Sequence, residues 1–258
     1  MNCRILTAAA VISLSVCSCS VKEDRSVCPC RVEVFPDPRP LGPVDLTFRD
    51  EASGEDIVSY QDRSPIAGCL LYEGEVPRSV LRLSVHCGLR RCLTKGSFII
   101  AGSGCQMDSV YVYETLLDAR GAETLRDTVR FCKQFATLSL QAASEDFRDH
   151  FSFRVRGRCC GVNLYSPRQA VPGEFSCSFA SEVRLPRQEG GELLLDIVSA
   201  QDSAVAATLP LESYLESSGY DWSALSLEDI SMEIDFSRSE VTVCVNDWEE
   251  ASTFICTI

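Results

Sequence analysis

Thiols and imidazoles are the side chains here that suit nucleophilic or metal chemistry, and the chain holds fifteen cysteines but only two histidines. His86 stands beside Cys87, the pair of groups from which a thiolate–imidazolium couple is built. The alternation of Leu81, Leu83 and Val85 just before it gives the more ordinary reading, a histidine at a strand end. His150 closes the polar run that starts at Ser144, where solvation accounts for it. No H-E-x-x-H, G-x-S-x-G or phosphate-loop pattern occurs, and Gly102-Ser103-Gly104 is too short to cradle a phosphate. Cys28-Pro29-Cys30, Cys87 with Cys92, and vicinal Cys159-Cys160 do not reproduce C-x-x-C pairs at zinc-ribbon spacing. The run Asp247-Trp248-Glu249-Glu250 could hold calcium, but nothing in it fixes a ligand geometry, and like Glu145-Asp146 it reads as a solvated loop. The sequence therefore yields no catalytic residue, no metal site and no cofactor. Trp222 and Trp248 could each stack on a sugar ring; capping a sandwich core is the commoner use of such a tryptophan.

One thiol has a more specific chemistry. Arg4 supplies a positive start, and Ile5 to Val16 runs on without a charge. That stretch is shorter than the roughly 20 apolar residues a membrane-spanning helix needs, and it matches the apolar region of an export signal. It leads into Val16-Cys17-Ser18-Cys19, which resembles the bacterial lipobox: an aliphatic residue, two tolerant positions ending in a small one, then the cysteine to be acylated. Cys17 fits less well, because Val16 would stand where a small residue is wanted. Residues 1–18 are thus expected to be a lipoprotein signal peptide and Cys19 the lipidation site, carrying fatty chains such as palmitate. Each buried methylene contributes roughly 0.8 kcal/mol, so two or three chains hold the protein at a membrane without a spanning segment.

The net charge of −13 excludes nucleic-acid binding by counterion release and disfavours anionic lipid headgroups. Cys3 and Cys17 leave with the signal and Cys19 is acylated, so twelve cysteines remain. Some could pair after export, yet the spacing selects no pair. Cys177, on the apolar side of Phe175-Ser-Cys-Ser-Phe179, reads as a small core residue, and vicinal Cys159 and Cys160 should meet different neighbours.

The elements that must position these residues are strands. Period-two alternation runs through Leu81–Val85, Leu138–Leu140, Phe151–Arg156 and Phe254–Ile258. Ile230, Met232, Ile234 and Phe236, then Val241, Val243 and Val245 across a polar turn, predict a hairpin. Pro210 before Leu211, Tyr214 and Leu215, with Gly219 beyond, predicts a short helix. A second helical turn is expected around Glu123 to Asp127. Short strands punctuated by Gly and Pro predict an all-β protein of β-sandwiches. The polar stretch Ala119 to Arg130 places a boundary near Phe131-Cys132-Lys133. The expected organisation is a tether at 19–30, a β-sandwich at 31–132 and a second at 133–258, with no strong internal repeat.

At the mature N-terminus, Cys19-Ser-Val-Lys22-Glu23-Asp24-Arg25-Ser-Val-Cys28-Pro29-Cys30 resembles the start of the fimbrillin-A-associated anchor protein family, minor fimbrial subunits of Gram-negative anaerobes. Lys133-Gln134-Phe135-Ala136-Thr137 is similar to the entry to that family's second domain; Arg156-Gly157 with Gly161, and Val243 to Trp248, are similar to later features. The many cysteines depart from a typical member. The resemblance implies two tandem transthyretin-like β-sandwich domains in a non-enzymatic, surface-exposed outer-membrane lipoprotein. It implies fimbrial structural subunits as partners, in an anchoring or accessory role. Lys22, Glu23 and Asp24 are similar to the family's surface-export signal; a charged tether is the plainer account. Fimbriae of this kind resemble polymers joined by strand addition. The candidate contact strand is Phe254, Ile255, Cys256, Thr257 and Ile258, which could instead pair within its own domain. The alternative function is a surface glycan-binding lipoprotein using Trp222 or Trp248.

Overall fold

Alternating apolar residues become strands whose inward faces fill two separate cores. The structure, a computed structural model, describes residues 28–37, 42–66, 69–142, 150–190, 192–235, 238–245 and 252–255. Cys19, Lys22, Glu23, Asp24 and Trp248 lie outside the described residues.

The first core is built by β1 (Cys30–Pro36), β2 (Val44–Asp50), β3 (Asp56–Asp62), β4 (Tyr72–Val76) and β5 (Val80–Cys87). A hairpin of β6 (Leu93–Lys95) and β7 (Phe98–Ile100) follows, then β8 (Tyr111–Asp118), β9 (Thr124–Val129) and the two-residue β10 (Cys132–Lys133). One sheet has the order β4-β1-β9 and the facing sheet β10-β8-β5-β2-β3. Val32 and Val34 from the first meet Leu46, Phe48, Leu83 and Val85 from the second.

The second core is built by β11 (Phe135–Ala142), β12 (Phe151–Asn163), β13 (Ala170–Phe179), β14 (Glu182–Pro186), β15 (Leu194–Ser199) and β16 (Val205–Leu209). After them come the helix α1 (Leu211–Ser217), β17 (Ile230–Asp235), β18 (Glu240–Val245) and β19 (Ser252–Ile255). The order β14-β11-β17-β18-β19 faces a sheet in which β12 pairs with both β13 and β15, and β15 with β16.

The two halves repeat one wiring scheme. With the β6–β7 hairpin set aside, the first strand of each lies between the fourth, antiparallel to it, and the seventh, parallel to it: β4-β1-β9 and β14-β11-β17. In each, the second strand pairs the third and the fifth, and the fifth pairs the sixth: β3-β2-β5-β8 and β13-β12-β15-β16. This internal repeat has no counterpart in residue identities, which is why the sequence does not display it.

Three expectations meet the coordinates directly. The hairpin forms, with Ile230 opposite Val245 and Asp235 opposite Glu240; Phe236 lies outside the described residues. The helix forms after Pro210 and ends before Gly219, whose φ of +76° suits a residue without a Cβ. The helical turn at Glu123–Asp127 is wrong. Thr124–Val129 is β9, which adds to β1 in parallel, with Val32 opposite Leu125 and Pro36 opposite Val129. Its outward Thr and Arg residues conceal the alternation, while Val129 is buried. No helix among the described residues is long and apolar enough to cross a membrane.

The β6–β7 hairpin leaves its own half. Ile100, Ile99 and Phe98 pair with Gly161, Val162 and Asn163, at the far end of β12 beyond the stretch that β15 occupies. The residues Cys92, Ile99 and Met107, all within the 31–132 segment, are thereby buried in the second core.

Candidate functional site

Strand β5 turns Leu81, Leu83, Val85 and Cys87 into the first core, so Arg82, Ser84 and His86 face the other way. The turn after β12 covers that second face. The Ser84 hydroxyl donates to the Leu164 carbonyl at 3.1 Å, and Arg82 reaches the Tyr165 carbonyl at 3.4 Å. Tyr165 donates to Asp56 at 3.2 Å, and the Arg49 guanidinium sits 4.3 Å above its ring. Arg82 is neutralised by Glu51, at 2.8 Å, and by Glu114. Between the halves a cleft of about 660 Å³ remains, lined by Arg82, Tyr113, Arg130, Cys132, Tyr165 and Arg168 among others.

The entry to the second half is fixed by a polar cluster. Asp229 accepts from Lys133 and, at 2.7 Å, from the Thr137 amide. Arg187 is 1% exposed. Its guanidinium donates to the carbonyls of Trp222 and Ala224 and to Oε1 of buried Gln134. Burial lowers the Arg187 pKa; Tyr220 and Asp221 oppose the shift and the Arg168 charge adds to it. Trp222 packs edge-on against Tyr220, with ring centroids 4.7 Å apart, and its indole nitrogen is buried. Its N–H contributes to the environment of Glu212, whose carboxyl is pushed up by burial and by Glu216. Trp222 caps the second core and offers no open platform.

His86 is 9% exposed, with Nε2 3.7 Å from Asp45. Burial lowers its pKa and Asp45 opposes the shift. Cys87 points into the first core, away from the imidazole, so the two do not form a couple. Cys30, Cys92, Cys159, Cys160 and Cys177 are buried free thiols. Cys177 is a core residue, and Cys159 and Cys160 meet different neighbours: the thiols donate to the Glu189 and Pro172 carbonyls respectively. Among the described residues no group of three or more His, Cys, Asp or Glu side chains could hold a metal ion. Ser252–Ile255 pairs with β18 as the last strand of its sheet; Phe254 packs on Tyr214, with centroids 5.0 Å apart, while Ile255 is 88% exposed. Cys256, Thr257 and Ile258 lie outside the described residues.

Sequence reasoning missed the cleft arginines and Arg187, because neighbours such as Tyr165 for Arg82 and Gln134 for Arg187 come from segments 83 and 53 residues away.

No known family profile matches the chain, and no curated protein does. Solved structures do. A candidate polysaccharide-binding protein of Bacteroides thetaiotaomicron superposes with a TM-score of 0.64 at 12% identity, covering 87% of this chain and 98% of that one. The fimbrial anchor protein Mfa2 from Porphyromonas gingivalis gives 0.59 at 9% identity, over 87% of this chain and 100% of its own. A candidate adhesin of Bacteroides thetaiotaomicron gives 0.58 at 13% identity, over 88% and 97%. The chain shares the all-β fold of these proteins over nearly their whole lengths.

Proposed function

We propose that the chain is a non-enzymatic, lipid-anchored accessory or anchor subunit of a cell-surface fimbrium. The observation that carries this reading is the shared fold with the fimbrial anchor protein over that protein's entire length. It joins an N-terminal block, Cys19 to Cys30, that resembles the start of the fimbrillin-A-associated anchor protein family. In this reading both sandwiches are transthyretin-like, Cys19 is acylated in the outer membrane, and Lys22, Glu23 and Asp24 direct the protein to the outer surface. Phe254–Ile258 is the strand that meets a fimbrial structural subunit. What supports a contact there is the edge position of β19 and the outward Ile255. An edge strand presents unpaired amides and carbonyls to any added strand.

Co-purification of surface fimbriae from the native bacterium, carrying the intact chain or Cys19→Ala, tests the reading. Fimbriae shed into the medium by the variant are the expected result for an anchor. Retained fimbriae that still contain the variant indicate an accessory subunit. Fimbriae that never contain the chain reject both. Deleting residues 254–258 tests the contact: a folded protein that no longer joins fimbriae supports it, and an unfolded one assigns the strand to its own core.

A second reading, surface glycan binding, draws on the likeness to the candidate polysaccharide-binding protein, at a TM-score of 0.64. Trp222 is not its platform, since Trp222 is packed against Tyr220 and the second core. Trp222→Ala is accordingly expected to cost stability rather than sugar affinity on a glycan array.

A further inference from the structure

We propose that the cleft between the two halves binds a carboxylate-bearing saccharide. The inference rests on the glycan-binding reading and gives it a site whose lining does not include Trp222.

Charge points to the class of ligand. The chain carries −13, yet three arginines line this one cleft. Arg82 is held by Glu51 and Glu114, so it is fixed and neutralised. Arg130 and Arg168 form no ion pair within 4.0 Å among the described residues, although Asp221 acts on Arg168 at longer range. Two exposed guanidiniums without carboxylate partners among the described residues, lining one cleft in an acidic protein, are suited to an external carboxylate. A planar guanidinium meets that group with two parallel hydrogen bonds.

The walls point to a compact ring-bearing ligand rather than an extended peptide. The cleft's volume, about 660 Å³, falls in the range of small-molecule sites. Tyr113 and Tyr165 line it, and each phenol is committed elsewhere: Tyr113 donates to Asp127 at 3.0 Å and Tyr165 to Asp56 at 3.2 Å. Their rings are thereby fixed, and, apart from the Tyr165 face that Arg49 covers, ring surface is what they leave for a ligand. Aromatic surface beside polar groups is the usual furniture of a sugar site, since a pyranose has an apolar face and a polar rim. A peptide recognised by its main chain lies along one strand edge and fills alternate pockets. Here the walls come from five separate segments: β5, β8, the chain around β10, the Tyr165–Gln169 turn, and Leu225 in the loop before β17.

The test uses the mature chain from residue 19, made soluble by Cys19→Ala, alongside the same chain with Arg130→Gln and Arg168→Gln. Calorimetric titration measures binding of oligogalacturonate, of a neutral galacto-oligosaccharide of equal length, and of poly-glutamate. The proposal expects saturable uronate binding, at least tenfold weaker binding of the neutral sugar, and at least tenfold loss in the double variant with an unchanged melting temperature. Single Arg130→Lys and Arg168→Lys variants accompany it: charge without the planar fork should restore only part of the affinity. Poly-glutamate binding as tightly as uronate would assign the cleft to an acidic peptide and overturn the saccharide. Uronate binding that survives the double substitution, or no uronate binding at all, also overturns the proposal. Neutral-glycan binding retained in the double variant would sink the cleft while leaving the glycan reading standing.

Discussion

Asp196 shows how a single residue can hold a sheet face together. Its side chain is fully buried on β15 and accepts from Arg154, Arg156 and Thr208 on the two flanking strands, at 2.8, 2.7 and 2.9 Å. Burial alone would raise its pKa; the hydrogen bonds from Arg156, Arg154 and Thr208 outweigh that and hold it at about 2. A carboxyl depressed from 3.8 in this way contributes roughly 2 kcal/mol at neutral pH. The contribution is complete above pH 4 or so and is lost as the pH falls through about 2. Asp196→Asn should therefore lower urea-unfolding stability by about 2–3 kcal/mol at pH 7, and the gap from the parent should close as both are titrated toward pH 2. A gap that stays constant with pH would show that the carboxylate charge is not what the arginines hold. The sequence displays Arg154 and Arg156 on one face of an alternating strand, but nothing near Asp196 announces that it lies opposite both. Likewise Asp108 accepts three amides, from Arg90, Arg91 and Cys92, at 2.6–2.7 Å, a turn that no local motif marks.

The element whose behaviour departs most from its place in the chain is the β6–β7 hairpin. Strands that alternate over five or more residues, such as β5, β11 and the β17–β18 pair, are legible because their inward side chains are uniformly apolar. The hairpin strands are three residues each, and Leu93 and Phe98 are exposed. Their partner, the end of β12, lies about sixty residues downstream, so neither length nor period betrays the pairing. The same limit hid β9, whose polar outward residues mimic a turn. What permits the hairpin to dock is Gly161: a Cβ there would collide with the Ile99 carbonyl oxygen. Gly161→Ala should push β7 off β12, at a cost of roughly 1–3 kcal/mol by overpacking against backbone. Hydrogen exchange checks it. The Ala101 amide, which donates to the Cys160 carbonyl at 2.8 Å, should lose protection, while the amides of β2 and β5 in the first core keep theirs. Equal loss in both cores would mean that the glycine supports the whole fold rather than this one junction.

At the scale of the molecule, two copies of one seven-strand scheme stand in series, each with its own core, and repeats of this kind unfold independently when little joins them. Here the joints are substantial. The hairpin crosses from the first repeat into the second sheet, and Met107 and Ile99 are buried in the second core. The turn after β12 returns to the first repeat through Ser84 and Tyr165. Arg187 ties β14 to the connecting residue Gln134 and to the loop before β17. Under the proposed function such a chain would be pulled at its ends, and repeats that share strands would transmit that load through main-chain hydrogen bonds rather than through one linker. Calorimetry should thus show a single cooperative transition for the intact chain. Replacing residues 93–100 by a short Gly-Ser linker should divide it in two, with the second repeat melting first, because that repeat loses a strand pair and the buried Ile99 side chain while the first loses neither. Arg187→Met leaves the shared strands in place and should lower the transition temperature without dividing it, because the Trp222 and Ala224 carbonyls and buried Gln134 lose their donor. Two transitions in the intact chain would mean that the crossing hairpin decorates the second repeat without coupling it to the first.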